Sequence, residues 1–275
     1  MFSITSTGAP AVADAQNLAQ LRVLVTRPAH QAGRLVKLIE AEGGTAVEFP
    51  TIEISPPRDR LTLQRLIDRL DSFEIAIFVS PNAVREAMAL ISERRSILPQ
   101  ALILAAIGRA TARELERFGV AATVVPSEKF DSESLLASPQ LQAIEDKHII
   151  IFRGEGGREL LGQTLAARGA AVEYADCYRR TMPRTDATPL LDRWQRGLID
   201  IVTATSVQGL ENLFIMLGES GRALLLKTPI VVISERMAQT CRELGFAHAP
   251  AVADEASDEG IVQAIKAWRA SQKPV

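Results

Sequence analysis

Three short clusters of polar and glycine residues, each occurring twice, carry most of the chemistry available to this sequence. Thr26-Arg27-Pro28 has a counterpart in Arg153-Gly154-Glu155-Gly156-Gly157-Arg158, and Ser80-Pro81-Asn82 has one in Thr205-Ser206-Val207-Gln208. Gly108-Arg109-Ala110-Thr111 is matched by Ser234-Glu235-Arg236-Met237. Serine, threonine and asparagine side chains accept hydrogen bonds from helix N-termini, glycine admits a ligand close to the backbone, and arginine forks onto carboxylates. Ser80 and Ser206 suit a capping role as well as a ligand contact. Arg27, Arg109, Arg153, Arg158 and Arg236 would each pass singly for a surface arginine. Five on the same topological edge point to a ligand with several negative charges.

Other chemistry is thinly represented. His30, His148 and His248 are scattered, and there is no H-E-x-x-H, no G-x-S-x-G and no pair of acids at an interpretable spacing. Cys177 and Cys241 form no C-x-x-C pair, so no metal site is expected, and two distant thiols fit a reducing, cytoplasmic setting. The Gly154–Gly157 segment has neither of the usual nucleotide-binding glycine patterns. A net charge of −2 argues against nucleic acid as a partner, and apolar runs of strand length argue against a membrane.

The elements that must position these clusters follow from hydrophobic periodicity. Continuous apolar runs at 21–25, 45–49, 75–79, 102–107, 148–152, 200–205 and 230–233 alternate with amphipathic helical stretches. That pattern predicts α/β architecture with parallel sheets covered on both faces. At 275 residues the chain is long enough for two domains. Their landmarks keep one register: Arg27 and Arg153, Ser80 and Ser206, Gly108 and Ser234, and Gly119 and Gly245 are each 126 positions apart (153 − 27, and so on). The expectation is two flavodoxin-like parallel-sheet domains from an internal duplication, the first unit exchanged between them. One domain takes 21–50 plus 181–275 and the other 58–172, with linkers at 51–57 and 173–180. Residues 1–20 are expected to be a disordered extension rather than a signal peptide. In parallel α/β sheets, ligands collect where strand ends lead into helix N-termini, so the six clusters should line a cleft between the domains.

VLVTRP (23–28), FVSPNAV (78–84), AAIGRATARELERFGV (105–120) and PSEKFDSESLL (126–136) resemble successive signatures of the uroporphyrinogen-III synthase family. So do FRGEGGRELLGQTLAARGAAVEYADCYRR (152–180), TATSVQGLENL (203–213) and ISERMAQTCRELGF (233–246). The resemblance implies a cofactor-free, metal-free lyase, expected to be a cytoplasmic monomer, that acts on hydroxymethylbilane, a linear tetrapyrrole with eight carboxylates. It closes the ring to uroporphyrinogen III with loss of water and inversion of the last pyrrole. The resemblance also implies a catalytic role for Tyr178, assisting departure of the hydroxyl. Substrate contacts are implied at Thr26, Arg27, Ser80, Asn82, Gly108, Arg109, Thr111, Arg153, Gly154, Arg158, Ser206, Gln208, Ser234, Arg236 and Met237.

Two positions depart from the family pattern: Met237 and Val79 stand where threonine is frequent. A hydroxyl contact is expected to be lost at Met237 while its backbone N–H remains. These departures leave open a non-catalytic relative that binds a tetrapyrrole or another polycarboxylate without turning it over.

Overall fold

The computed structural model describes residues 17–95, 97–127 and 131–272. The chain begins with β1 (Arg22–Val25), α1 (Ala29–Ala41) and β2 (Thr45–Glu48). Then follow β3 (Glu53–Ser55), α2 (Arg60–Asp68), β4 (Ile75–Phe78), α3 (Pro81–Arg94), β5 (Ile103–Ala106) and α4 (Arg109–Arg117). Next come α5 (Ser132–Leu136), β6 (His148–Gly154), α6 (Leu160–Ala167) and β7 (Ala171–Thr181). The remainder is α7 (Thr188–Gln195), β8 (Ile201–Ala204), α8 (Val207–Leu226), β9 (Ile230–Val232), α9 (Glu235–Leu244), β10 (Ala251–Val252) and α10 (Asp258–Ser271).

These elements fall into two compact units, one holding the described residues up to Glu53 and from Met182 onward, the other Ile54–Thr181. The sheet of the first unit runs β10-β9-β8-β1-β2. Its strands pair in parallel, with Val23 opposite Ile201 and Ala46. The N-terminal strand is therefore completed by residues from the far end of the chain. Asp200 fixes the entry of this pairing: its carboxylate accepts from the Arg22 backbone N–H at 2.7 Å and from the guanidinium at 2.7 and 2.6 Å. The exit is fixed by Thr203, whose hydroxyl donates to the Leu24 carbonyl at 3.0 Å, and by Thr26, whose hydroxyl donates to the Thr203 carbonyl at 2.7 Å. Alternation divides the apolar side chains between two faces, Val23, Val25, Ile201 and Val231 to one and Leu24, Val202, Ile230 and Val232 to the other.

The sheet of the second unit is ordered β3-β7-β6-β4-β5, with β4 parallel to both β5 and β6, and β6 parallel to β7. Ala76, Phe78, Ile150 and Phe152 face one layer and Ile75, Ile77, Ile149 and Ile151 the other. The Phe78 and Phe152 rings stack across neighbouring strands with centroids 4.7 Å apart. Every residue of β4 is buried, as an interior parallel strand with helices on both faces requires.

Three expectations are revised. Residues 173–180 are not a linker: they belong to β7, which pairs with β6 along nearly its whole length. Residues 1–16 lie outside the described residues, but 17–20 are docked, with Leu18 fully buried and its N–H donating to the Glu42 carbonyl at 2.8 Å. The proposed connection at 51–57 contains β3, an edge strand of the second sheet. Both halves use the same punctuation: Gly119 and Gly245 follow α4 and α9 at φ +74° and +88°.

Gly260 is needed for close approach of the backbone. A Cβ at Gly260 would stand 2.2 Å from the Glu255 carbonyl oxygen, in the turn that opens α10. Gly260→Ala is expected to destabilise the fold by about 2 kcal/mol or more, since backbone rather than a flexible side chain must yield. Thermal unfolding measured beside the wild-type protein checks this.

Candidate functional site

Strands of each sheet end in turns that begin helices, and serine oxygens cap four of those helices. In the second unit the Ser80 hydroxyl accepts from the Ala83 N–H at 3.0 Å, opening α3 after β4. In the first unit Ser206 accepts from the Gly209 N–H at 3.0 Å, Ser234 from the Met237 N–H at 3.4 Å and Ser257 from the Gly260 N–H at 3.0 Å. Helix α4 begins at Gly108 with no side-chain cap, so its leading N–H groups keep their capacity for an anion. Pro28 opens α1 in the same uncapped way.

The arginines divide into two kinds. Arg27 is largely buried and ion-paired to Asp258 at the start of α10. Burial raises the Asp258 carboxyl above its ordinary value, against the opposing pull of the Arg27 guanidinium. Arg153 bonds Asp176 at 2.9 Å and lies 3.7 Å over the Tyr174 ring, a stacked and charge-paired position. Arg109 is exposed and reaches the Ser127 carbonyl at 3.3 Å. Arg158 and Arg236 are exposed, and their guanidinium groups contact no partner among the described residues. Gln208 is likewise exposed. The first kind shapes the turns, and the second is presented to solvent.

Several of the residues expected to contact substrate are largely buried. Thr26 is buried and its hydroxyl ties β1 to β8, while Asn82 and Thr111 are also buried. Met237 is 4% exposed and packs into the core of the first unit with Ala238 and Cys241. Its N–H is taken by the Ser234 cap, so neither its side chain nor its N–H is offered outward. The matching position in the other half is Thr111, 2% exposed. Both residues thus occupy core-facing first-turn positions of their helices. The departure noted at 237 is one of packing.

Tyr178, Ser80 and Gly154 come together on adjacent strands β7, β6 and β4 of the second unit. The Tyr178 hydroxyl lies 3.2 Å from the Ser80 Oγ. The ring rests on the Gly154 backbone, where a Cβ would be 2.7 Å from Cζ. Tyr178 is 3% exposed, with its hydroxyl at the Ser80 strand-end turn. Cys177 beside it has its thiol pushed up by burial, and burial pushes Cys241 up to about 11, which marks both as inert packing residues.

A cavity of about 400 Å³ lies against the 153–158 turn, with Arg58, Asp59, Glu155, Gly156, Tyr174 and Asp176 among its lining. Three carboxylates against one arginine suit it poorly to a polyanion, so the helix N-termini rather than this cavity are the better match to the arginine pattern. Sequence reasoning missed the carboxylates that hold the arginines, Asp176 and Asp258. It also missed Thr51, whose hydroxyl donates to the Thr26 carbonyl and whose own carbonyl accepts from the Asn212 amide at 2.7 Å. Only proximity in the fold identifies them.

The family description "Uroporphyrinogen-III synthase HemD" matches residues 33–263. Uroporphyrinogen-III synthase of Escherichia coli K12 is 34% identical, over 90% of this chain and all of its own length. The Synechococcus elongatus protein of that name is 28% identical, over 90% of this chain and 94% of its own. Among solved structures, a mutant uroporphyrinogen III synthase from the extreme thermophile Thermus thermophilus shares the fold at TM-score 0.59 and 21% identity, over 92% of this chain and all of that one. Uroporphyrinogen-III synthetase from Helicobacter pylori 26695 does so at TM-score 0.59 and 14% identity, over 90% and 99%. On its sequence match and its fold, the chain belongs to the uroporphyrinogen-III synthase family.

Proposed function

We propose that this protein converts hydroxymethylbilane to uroporphyrinogen III, and that Tyr178 is its proton donor. The observation that carries the reading is the placement of the Tyr178 hydroxyl, 3.2 Å from Ser80, at a strand end beside the N-terminus of α3. In this reading Tyr178 protonates the ring-A hydroxyl, the C–O bond breaks and water leaves an azafulvenium-like cation. The substituted carbon of ring D attacks that cation to give a spiro intermediate. This fragments and recloses with ring D inverted, and a proton is lost to restore the pyrrole. The uncapped start of α4 and the outward Arg109, Arg158 and Arg236 meet carboxylates, with Gly108, Ser206, Gln208 and Ser234 at the same strand-end turns. Holding one folded geometry is worth up to roughly 7–11 kcal/mol of barrier.

The fold supports a finer reading of its origin. We take the chain as an internal duplication whose β1-α1-β2 segment has been exchanged into the sheet of β8, β9 and β10. Caps at Ser80 and Ser206, helix starts at Gly108 and Ser234, and left-handed glycines 119 and 245 keep the same offset. Ser55 and Thr181, themselves 126 apart, hydrogen-bond to each other at 2.9 Å. The same reading takes the protein as a cytoplasmic monomer.

The second reading, a binding protein without turnover, drew on Met237 and Val79. Both pack against cores, Met237 within that of the first unit and Val79 partly buried beside that of the second, which favours a packing role for each. Met237→Thr is expected to cost about 2–3 kcal/mol of stability, through a buried cavity and a buried hydroxyl, without raising turnover. Thermal unfolding and a rate assay check both halves of that statement.

Supplying hydroxymethylbilane and scoring the III to I isomer ratio after oxidation tests the function. Isomer III should dominate; isomer I alone, at the unassisted rate, would overturn the proposal. Tyr178→Phe should slow turnover by about a hundredfold, the low end of what a positioned general acid supplies. Full rate and isomer purity in that variant would remove Tyr178 from the mechanism.

A further inference from the structure

Cys177 and Tyr178 are consecutive in β7, yet both are buried in the same core layer, with Ala175. Strand alternation forbids this, because neighbouring side chains point to opposite faces. The pairing with β6 explains it: Arg153 is opposite Asp176, but Gly154 is opposite Tyr178, so the register skips Cys177. This is a bulge, a device that re-aims a side chain. It turns Tyr178 onto the Gly154 backbone, where a Cβ would sit 2.7 Å from Cζ and 3.1 Å from the hydroxyl. The Glu155 N–H closes the turn on the Tyr178 carbonyl at 2.8 Å.

The hydroxyl so placed meets Ser80. A serine hydroxyl has one hydrogen and two lone pairs. One lone pair takes the Ala83 N–H of α3 at 3.0 Å, which leaves the hydrogen free for the Tyr178 oxygen at 3.2 Å. The phenol hydrogen is then free to leave. With Ser80 as the donor of that bond, donors run in one sense from the Ala83 N–H through the Ser80 O–H to the Tyr178 O–H. The chain starts at the positive end of a 14-residue helix. Bonds aligned in this way polarise one another and strengthen the terminal donor.

Resting on the proposed synthase activity, we infer that Ser80 and Gly154 are positioning residues for that reaction. Ser80 donates to the Tyr178 oxygen, and Gly154 supplies the flat surface that holds the ring in line. Neither role needs a contact with the reacting atoms.

Ser80→Gly is the informative variant, since glycine is a tolerated N-cap and already opens α4 at Gly108. Its kcat should fall by about tenfold or more while KM holds within about twofold, the pattern of an interaction made in the transition state. Ser80→Thr, which keeps a hydroxyl, should restore kcat. In a Tyr178→Phe background Ser80→Gly should cost at most about a further twofold in kcat, because the two changes remove one relay. Gly154→Ala should show the same loss in kcat and the same silence in that background. This gives a second route should Ser80→Gly unfold. Unchanged kcat in Ser80→Gly, or equal losses with and without the Tyr178 hydroxyl, would overturn the relay alone. Wild-type protein yielding only isomer I would overturn the functional reading and the relay with it.

Discussion

The first sheet depends on a strand held by residues at the opposite end of the chain. β1 lies between β2 and β8, and Arg22 and Asp200, 178 positions apart, lock its entry. At its exit Thr26 donates its hydroxyl to the Thr203 carbonyl, and Thr203 donates its own to the Leu24 carbonyl. A buried parallel strand must satisfy every backbone group through its neighbours, so β1 has no stable place without β8. The turn at Arg27 and the start of α1 inherit their position from that pairing. Gly209 packs close to Thr51 and Ser206 in the same unit, which extends the constraint to the start of α8.

The arginines at the strand-end turns of each unit have their own charge logic. Arg27 and Arg153 are already matched with Asp258 and Asp176, and Arg153 is also stacked on Tyr174. A guanidinium fixed before a ligand arrives loses less freedom on binding, at the cost of sharing its charge with a resident carboxylate. Arg158 and Arg236 have no such restraint and keep their full charge for an incoming anion.

The strands were legible in sequence because continuous apolar runs such as IAIF and HIII have few alternatives once helices cover both faces. The strand-end turns were legible because glycine, serine and threonine are constrained there. Tyr178 was legible as a residue and by family resemblance, but its orientation was not. The bulge opposite Gly154 is a property of two paired strands, and neither strand shows it alone. Met237 illustrates a second limit: polarity suggested a missing contact, whereas its first-turn position places the side chain in the core. The pairing of Arg27 with Asp258 spans 231 positions and leaves no local signal.

The late pairing of β1 also orders events during synthesis. Ile54–Thr181 is one unbroken stretch and holds all it needs for a complete sheet of its own, before residue 200 has left the ribosome. β1 has by then only β2 beside it, and its other edge, rich in Leu24 and Val25, waits for Ile201–Ala204. Long-range pairing of this kind is slow, and an unpaired apolar edge is prone to wrong partners. The C-terminal third of the chain thus protects the N-terminus as well as completing the fold, and a nascent chain stalled before β8 is the form most exposed to aggregation.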